Sequence, residues 1–400
     1  MALLDIQTPE SKPLNNGMTF LALGFRPFFL FAGFAAVILL SLWLLIYNGL
    51  MPAPAYYGAL PWHGHEMLFG YTAAVVAGFL LTAAKNWTGI QTLRYGPLGG
   101  LALLWLLGRL VPFLSGSISP WLIALVDFSF MPMAALALAF PLFKSKQAHN
   151  TPFVYILLAL AVANGLFHLQ LLGLTETTLQ AGIRLALGML VVLLAVMGGR
   201  VIPFFIERGL PGVQNRKWQW VEKLSVISVL LFLLADLFFP GNGVTIAITL
   251  VAAAIHAVRV AGWYHHRIWS VSLLWVLFIG YAWVAVGLLM HALAAAGVIS
   301  SLLAIHAFTV GAIGVLTLGM MARVSIGHTG RPMKAHPLIG WAFALVAAAA
   351  VVRVWLPLLW PQSYVIWVTL SGLLWIAAFV PFVVLYFPML IKPRVDGREG

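Results

Sequence analysis

The chain of 400 residues contains no cysteine, which excludes disulfides, thiolate-held iron–sulfur clusters and covalent c-type haem attachment. Charge is almost as scarce. Only 8% of residues are Asp, Glu, Lys or Arg, and ten in all are acidic. A soluble domain of this length needs far more charge on its surface. No polar stretch is long enough for a separate soluble domain. The first 19 residues are mostly polar and lack the apolar core and cleavage site of a removable signal peptide. Any bound metal must therefore be held by His, Met, carboxylate or backbone oxygen.

What the chain has instead is hydrocarbon: 62% of residues are hydrophobic and the mean hydropathy is +1.02. The apolar runs are long and continuous, unlike the short alternating segments of a β-barrel. The expected fold is an all-α polytopic membrane protein. A span needs roughly 20 apolar residues. About twelve fit, near 20–46, 64–84, 97–113, 119–142, 152–172, 179–203, 221–239, 243–263, 270–293, 299–323, 337–356 and 363–390. This gives a tail over 1–19, a single transmembrane domain over 20–390 and a second tail over 391–400.

The net charge of +12 would suggest nucleic acid in a soluble protein. Here it reads as the bias of basic residues that orients a membrane protein, so the lipid bilayer is the partner and nucleic acid is not. With the N-terminus in the cytoplasm, Lys85, Arg94, Lys144, Lys146, Arg208, Arg216, Lys217, Arg267, Arg331, Lys334, Lys392 and Arg394 share that side. Of the 22 basic residues only Arg109, Arg184 and Arg353 fall near the opposite face, leaving nineteen inside. Both tails are then cytoplasmic and the number of spans is even.

Two stretches stand out, WHGHEMLFGYTAAVVAGFLLTAAKNWTG (62–89) and HAFTVGAIGVLTLGMMARVSIGHTG (306–330). Aligning His65 with His306 also aligns Gly70 with Gly311 and Thr88-Gly89 with Thr329-Gly330. A shift of 123 residues further superposes His168 on His291, Gly188 on Gly311 and Arg200-Val201 on Arg323-Val324. Three units of four helices would explain this, with helices two, six and ten equivalent. Chance likeness among spans rich in small residues would explain it equally well.

Depth follows from about 1.5 Å of rise per residue. His65, His168 and His306 lie roughly 24–30 Å from the cytoplasmic boundary, and His63 and His291 share that outer level. Imidazole is the usual axial ligand of non-covalent haem and also suits copper. Two histidines facing each other across the bundle can hold a haem, with Glu66 or Trp62 fixing a tautomer from behind. His65, His168 and His306 are the favoured ligands. His63 and Glu66 can also be solvated lip residues, and a lone buried His is more often a packing residue than a ligand. That packing role is expected for His256, while His291 stands between packing and ligation. Asp127 and Asp236 are isolated acids within spans, either proton relays or interhelix contacts, with no evident partner.

The cytoplasmic face repeats another pattern: Arg26-Pro27-Phe28-Phe29, Arg200 to Phe205, and Arg323 to Arg331. Arginine beside a break can bind phosphate or haem propionate, or simply mark the boundary. In SIGHTGRP (325–332), His328 and Arg331 are candidates for a built turn or anion site alongside Arg323.

GFRPFF (24–29), WHGHEMLFGY (62–71), GFLLTAAKNWTG (78–89), GRVIPFF (199–205) and the whole of 306–332 resemble the NnrS family from about residue 20 to 390. The resemblance implies a bacterial inner-membrane protein with about twelve spans, containing haem and copper, in the response to nitric oxide and nitrosative stress beside denitrification. It brings no settled reaction. A looser likeness is to haem–copper oxidases and nitric oxide reductases, whose pseudo-threefold twelve-helix subunit has His ligands on helices two and ten. His65 and His306 fit that pattern. Phe308, Ala304 and the absence of His from helices six and seven depart from it.

The expected function is thus a protein holding haem b non-covalently, and copper, in the nitric oxide response. His65 and His306 are the first-choice axial pair, and His63, His168 and His291 are alternative ligands or a copper site. NO would be the small gaseous ligand, with an electron donor the sequence does not identify. The alternative is a multi-span transporter for a metal, haem or small metal complex.

Overall fold

The computed structural model describes residues 16–398. The N-terminal tail expected over 1–19 lies outside them up to residue 15. A one-turn helix, Asn16–Phe20, precedes twelve long helices, and the described residues form no strand. The first six are α1 (Phe25–Tyr47), α2 (Ala59–Thr88), α3 (Tyr95–Leu114), α4 (Pro120–Lys144), α5 (Pro152–Leu171) and α6 (Thr178–Gly209). The second six are α7 (Gln219–Phe238), α8 (Gly243–Trp263), α9 (Ser272–Ala295), α10 (Ser301–His328), α11 (Pro337–Leu359) and α12 (Tyr364–Ile391).

Eleven of these are long and apolar enough to cross a membrane. The exception is α7, which carries Glu222, Lys223 and Asp236. Its acids are partnered inside the bundle: Glu222 pairs with Arg259 of α8, and Asp236 with His291 of α9. Two of the three arginines expected near the sparse face also turn inward. Arg109 pairs with Asp127, and Arg353 donates to the Tyr364 hydroxyl at 3.0 Å.

The two stretches singled out in the sequence are the most enclosed spans. In α2, 89% of the apolar window is buried and in α10, 72%, against 33% for α12. Both helices are interrupted at the same register. A π-helical segment spans Glu66–Thr72 in α2 and Ala307–Gly314 in α10, each beginning just after the aligned histidine. Both helices also end alike. Thr88 and Thr329 each donate to the carbonyl four residues back at 2.6 Å, and Gly89 (φ 69°) and Gly330 (φ 75°) follow in the left-handed region. A glycine ends a helix there at no steric cost. The likeness of α2 and α10 is therefore structural. It does not extend fully to α6, which is α-helical throughout. Tyr71 donates to Thr317 Oγ1 at 2.5 Å and ties the two helices together, because the Thr317 hydroxyl is itself spent on the Ile313 carbonyl.

One boundary matters for the site. The second span was expected to begin near residue 64, but α2 begins at Ala59, after Gly58 (φ 71°). Pro61 sits in the first turn, where its missing N–H has no cost. His63, His65 and Glu66 are consequently inside the helix and not on a lip.

Candidate metal site

His65 and Glu66 stand where α2 passes from α-helix to π-helix. A π turn holds an extra residue and re-aims the side chains around it, and such turns recur at functional sites. From α4 comes Asp127; from α5 come Asn164 and His168, four residues apart on one face. From α3 comes Arg109, and the loop before α2 adds Tyr56 and Tyr57. His65, Glu66, Arg109, Asp127, Asn164 and His168 are all buried.

Both imidazoles aim Nε2 at one oxygen. His65 Nε2 lies 2.9 Å and His168 Nε2 3.0 Å from Asp127 Oδ2. Potential ligand atoms of these three residues all fall within 4.8 Å of one another. The Asn164 amide donates to the same carboxylate oxygen at 2.9 Å, so its Oδ1 faces His65 Nε2 at 3.0 Å. Behind these groups, the far ring nitrogens are held. His65 Nδ1 lies 3.3 Å from Glu66 Oε1, and His168 Nδ1 lies 2.9 Å from the Tyr56 hydroxyl. Arg109 pairs with Asp127 Oδ1 and places Nε 3.3 Å from Glu66 Oε2. This is the outer hydrogen bonding that fixes tautomer and orientation around metal ligands.

Close packing depends on two glycines. A Cβ on Gly70 would sit 2.7 Å from Arg109 Nη1, and one on Gly108 would sit 2.9 Å from Asp127 Oδ1. Burial raises the pKa of the Tyr56 and Tyr57 phenols, with the Glu66 charge adding to the effect on Tyr57. Both therefore remain protonated at neutral pH. Tyr57 places its hydroxyl 3.2 Å from His65 Nε2.

His65 has an oxygen acceptor at each nitrogen, a carboxylate on both sides. A neutral imidazole has one N–H and one lone pair, so one of those contacts sets lone pair against lone pair. A second proton or a metal cation resolves this. With both imidazoles neutral, Glu66, Asp127 and Arg109 together leave one negative charge in a buried space. Uncompensated charge there is strongly unfavourable, and a cation removes the excess. Two imidazoles and a carboxylate suit iron, zinc or copper(II).

The other sequence candidates lie elsewhere. His65 and His306, the expected axial pair, belong to different clusters. His306 stands beside His63, with ring centroids 6.4 Å apart and planes 11° from parallel, and Trp43 stacks on His63 at 4.3 Å. His306 Nδ1 donates to the Leu302 carbonyl at 2.7 Å, which leaves Nε2 as its lone pair. His63 Nδ1 is buried without a hydrogen-bond partner. His291 bonds Asp236 at 3.0 Å under the edge of Phe232, remote in contacts from either group. Of the four residues expected as an outer shell or anion site, Glu66 meets His65 Nδ1 at 3.3 Å, and Arg323, His328 and Arg331 do not reach the histidines. His328 lies 22 residues along α10 from His306, about 33 Å at helical rise. Its carbonyl accepts from Arg394 at 2.9 Å, Arg331 donates to the Thr329 carbonyl at 3.5 Å, and Arg323 lies over the Phe205 ring at 4.0 Å. His256 packs as expected, bonded to Ser225 and Tyr281.

Asp127 reads from sequence only as a relay or an interhelix contact without a partner, and Arg109, Asn164, Tyr56 and Tyr57 do not read as site residues. The signal available was weak: an acid and an arginine in one helical hairpin, and an Asn four residues before a candidate His.

Helix bundle and buried site define a class, a polytopic membrane protein enclosing a cluster of two histidines and an aspartate. Comparison with curated proteins gives no match. The family model for NnrS protein matches residues 19–394, nearly the whole chain, and the chain belongs to the NnrS family.

Proposed function

We infer that this protein holds a transition-metal ion at His65, His168 and Asp127 and serves the nitric oxide response from a bacterial inner membrane, termini in the cytoplasm. The observation that carries the reading is His65, flanked by carboxylate oxygens at both nitrogens while His168 aims at the same Asp127 oxygen. Family membership supports the physiological context. A redox-active ion held by His65, His168 and Asp127 would supply a binding place for a diatomic molecule and a place for one electron.

The chain does the rest. Glu66 and Tyr56 orient the imidazoles, Arg109 pairs with Asp127, and Phe69 and Phe167 pack tilted and edge-on, respectively, against His65 to exclude water. The Tyr57 hydroxyl is a proton donor 3.2 Å from His65 Nε2. His65 and His306 make their contacts in different groups, so they do not form the pair that would hold haem b. The near-parallel pair His63 and His306, with ring centroids 6.4 Å apart, would be the residues to carry the remaining haem or copper expectation.

Elemental analysis and optical and electron paramagnetic resonance spectra of detergent-purified protein test the assignment. One ion per chain, lost in His168→Ala and perturbed by NO in the wild type, is the expected result; a folded wild type without stoichiometric metal refutes it. The second reading, a proton-coupled transporter of a metal or metal complex, rests on the same His65, because a second proton satisfies it as well as a cation does. Metal-free protein that moves metal in proteoliposomes would favour that reading.

A further inference from the structure

A second polar constellation lies in the other half of the membrane, at a cavity of about 730 Å³ between α5, α6, α7 and α8. Its walls are apolar, with Phe153, Ala159, Met189 and Leu230 among them, and its one charged end is formed by Arg200, Glu222 and Arg259. Along α6 the lining runs from Met189 to Arg200, roughly 16 Å parallel to the helix. Tyr155 and Leu230 at the rim are exposed, so the mouth opens sideways between α5 and α7, toward lipid. The charged end lies within a few turns of the helix ends and loops bearing Lys144, Lys146, Arg208, Arg216 and Lys217.

The charged end is built. Arg259 donates through Nε to Glu222 at 3.2 Å, through Nη2 to the same carboxylate, and through Nη1 to the Ala195 carbonyl at 2.7 Å and Tyr281 at 2.5 Å. Tyr281 in turn donates to His256 Nδ1 at 3.0 Å, and His256 Nε2 donates to the Ser225 carbonyl at 3.1 Å. Gly199 is required here, since any Cβ would overlap the Arg259 guanidinium. Glu222 is thus neutralised and Arg259 is occupied. Arg200 is not. It uses Nη1 on Asn150 at 2.8 Å and Nη2 on the His149 carbonyl at 3.3 Å, two of the five donors of its fork.

We propose that this cavity is a binding site for an anionic phospholipid, its phosphate on Arg200 and an acyl chain along the apolar wall toward Met189. A guanidinium with unused donors at headgroup level matches a phosphate, and basic pockets between spans on the cytoplasmic side take such lipids. The GRVIPFF motif then has a role independent of the histidine site, as Gly199 admits Arg259 and Arg200 meets the ligand.

Native mass spectrometry of the purified full chain with added phosphatidylglycerol or phosphatidylcholine tests this. The wild type should retain phosphatidylglycerol about fivefold better. Arg200→Gln should erase the preference, and Ala159→Phe, which fills the slot and touches no polar group, should remove the adduct from either lipid. Adducts unchanged in both variants, or a solvent extract that yields a quinone in place of phospholipid, would overturn the proposal. Should Arg200→Gln fail to fold by size exclusion and thermal melting, Ala159→Phe alone decides.

Discussion

Replacing Asp127 by Asn is the sharpest perturbation of the histidine site, because the shape is kept and one charge is removed. Asp127 Oδ1 pairs with Arg109, and Oδ2 meets His65, His168 and Asn164. Removing one partner of a buried pair costs about 3–5 kcal/mol. The low end applies, near 3 kcal/mol, because Glu66 Oε2 remains 3.3 Å from Arg109 Nε. The cluster with neutral imidazoles would pass from one net negative charge to none, and a metal would lose a ligand. Outer-sphere changes alone weaken metal binding about 10–100-fold, so the loss of a ligand should exceed the upper figure. The assay is thermal unfolding in detergent with and without a chelator, beside elemental analysis. Metal at about 100 times its Kd stabilises the wild type by about 2.7 kcal/mol, which chelation removes. Asp127→Asn should melt lower and ignore the chelator. A variant that keeps its metal and melts with the wild type would refute the reasoning.

Gly70→Ala should act at a distance of one side chain: its Cβ meets Arg109 Nη1 at 2.7 Å and Glu66 Oε2 at 2.8 Å, so a loss of about 1–3 kcal/mol and of metal is expected in the same melting assay. His63→Ala should leave the metal at His65 and His168 in place, since His63 packs on Trp43 and His306; loss of that ion would merge the two clusters. Tyr57→Phe removes one hydroxyl 3.2 Å from His65 and should cost about 1 kcal/mol, with the metal retained and its spectrum altered. Gly199→Ala should break the Glu222–Arg259 pair, costing about 3–5 kcal/mol without loss of metal at the histidine site.

Burying polar groups at this density ties the function to a few helices. His65, Asp127 and His168 come from α2, α4 and α5, and none of the three touches α10 through a hydrogen bond or ion pair. The pairing of His65 with His306 expected from helices two and ten is therefore not formed, although α2 and α10 share matching π turns. The cytoplasmic motifs separate in the same way: Arg200 lines the lateral cavity, while His328 and Thr329 receive the C-terminal segment through Arg394 and Val395.

Composition and periodicity were enough for the membrane class and the number of long helices; the kinship of α2 with α10 and a shared level for His65, His168 and His306 were expectations drawn from spacing alone. These are properties of position along a chain, because about 1.5 Å of rise per residue converts sequence distance into depth. Direction around each helix axis is another matter. It decides that His65 faces Asp127 and His168, that His306 faces His63 instead, and that Asp127 is a hub where the sequence showed a lone acid. That direction depends on π turns at Glu66–Thr72 and Ala307–Gly314, on glycines that let Arg109 approach, and on which helices adjoin. Only packing of the whole bundle specifies these, since each is a contact between segments far apart in the chain.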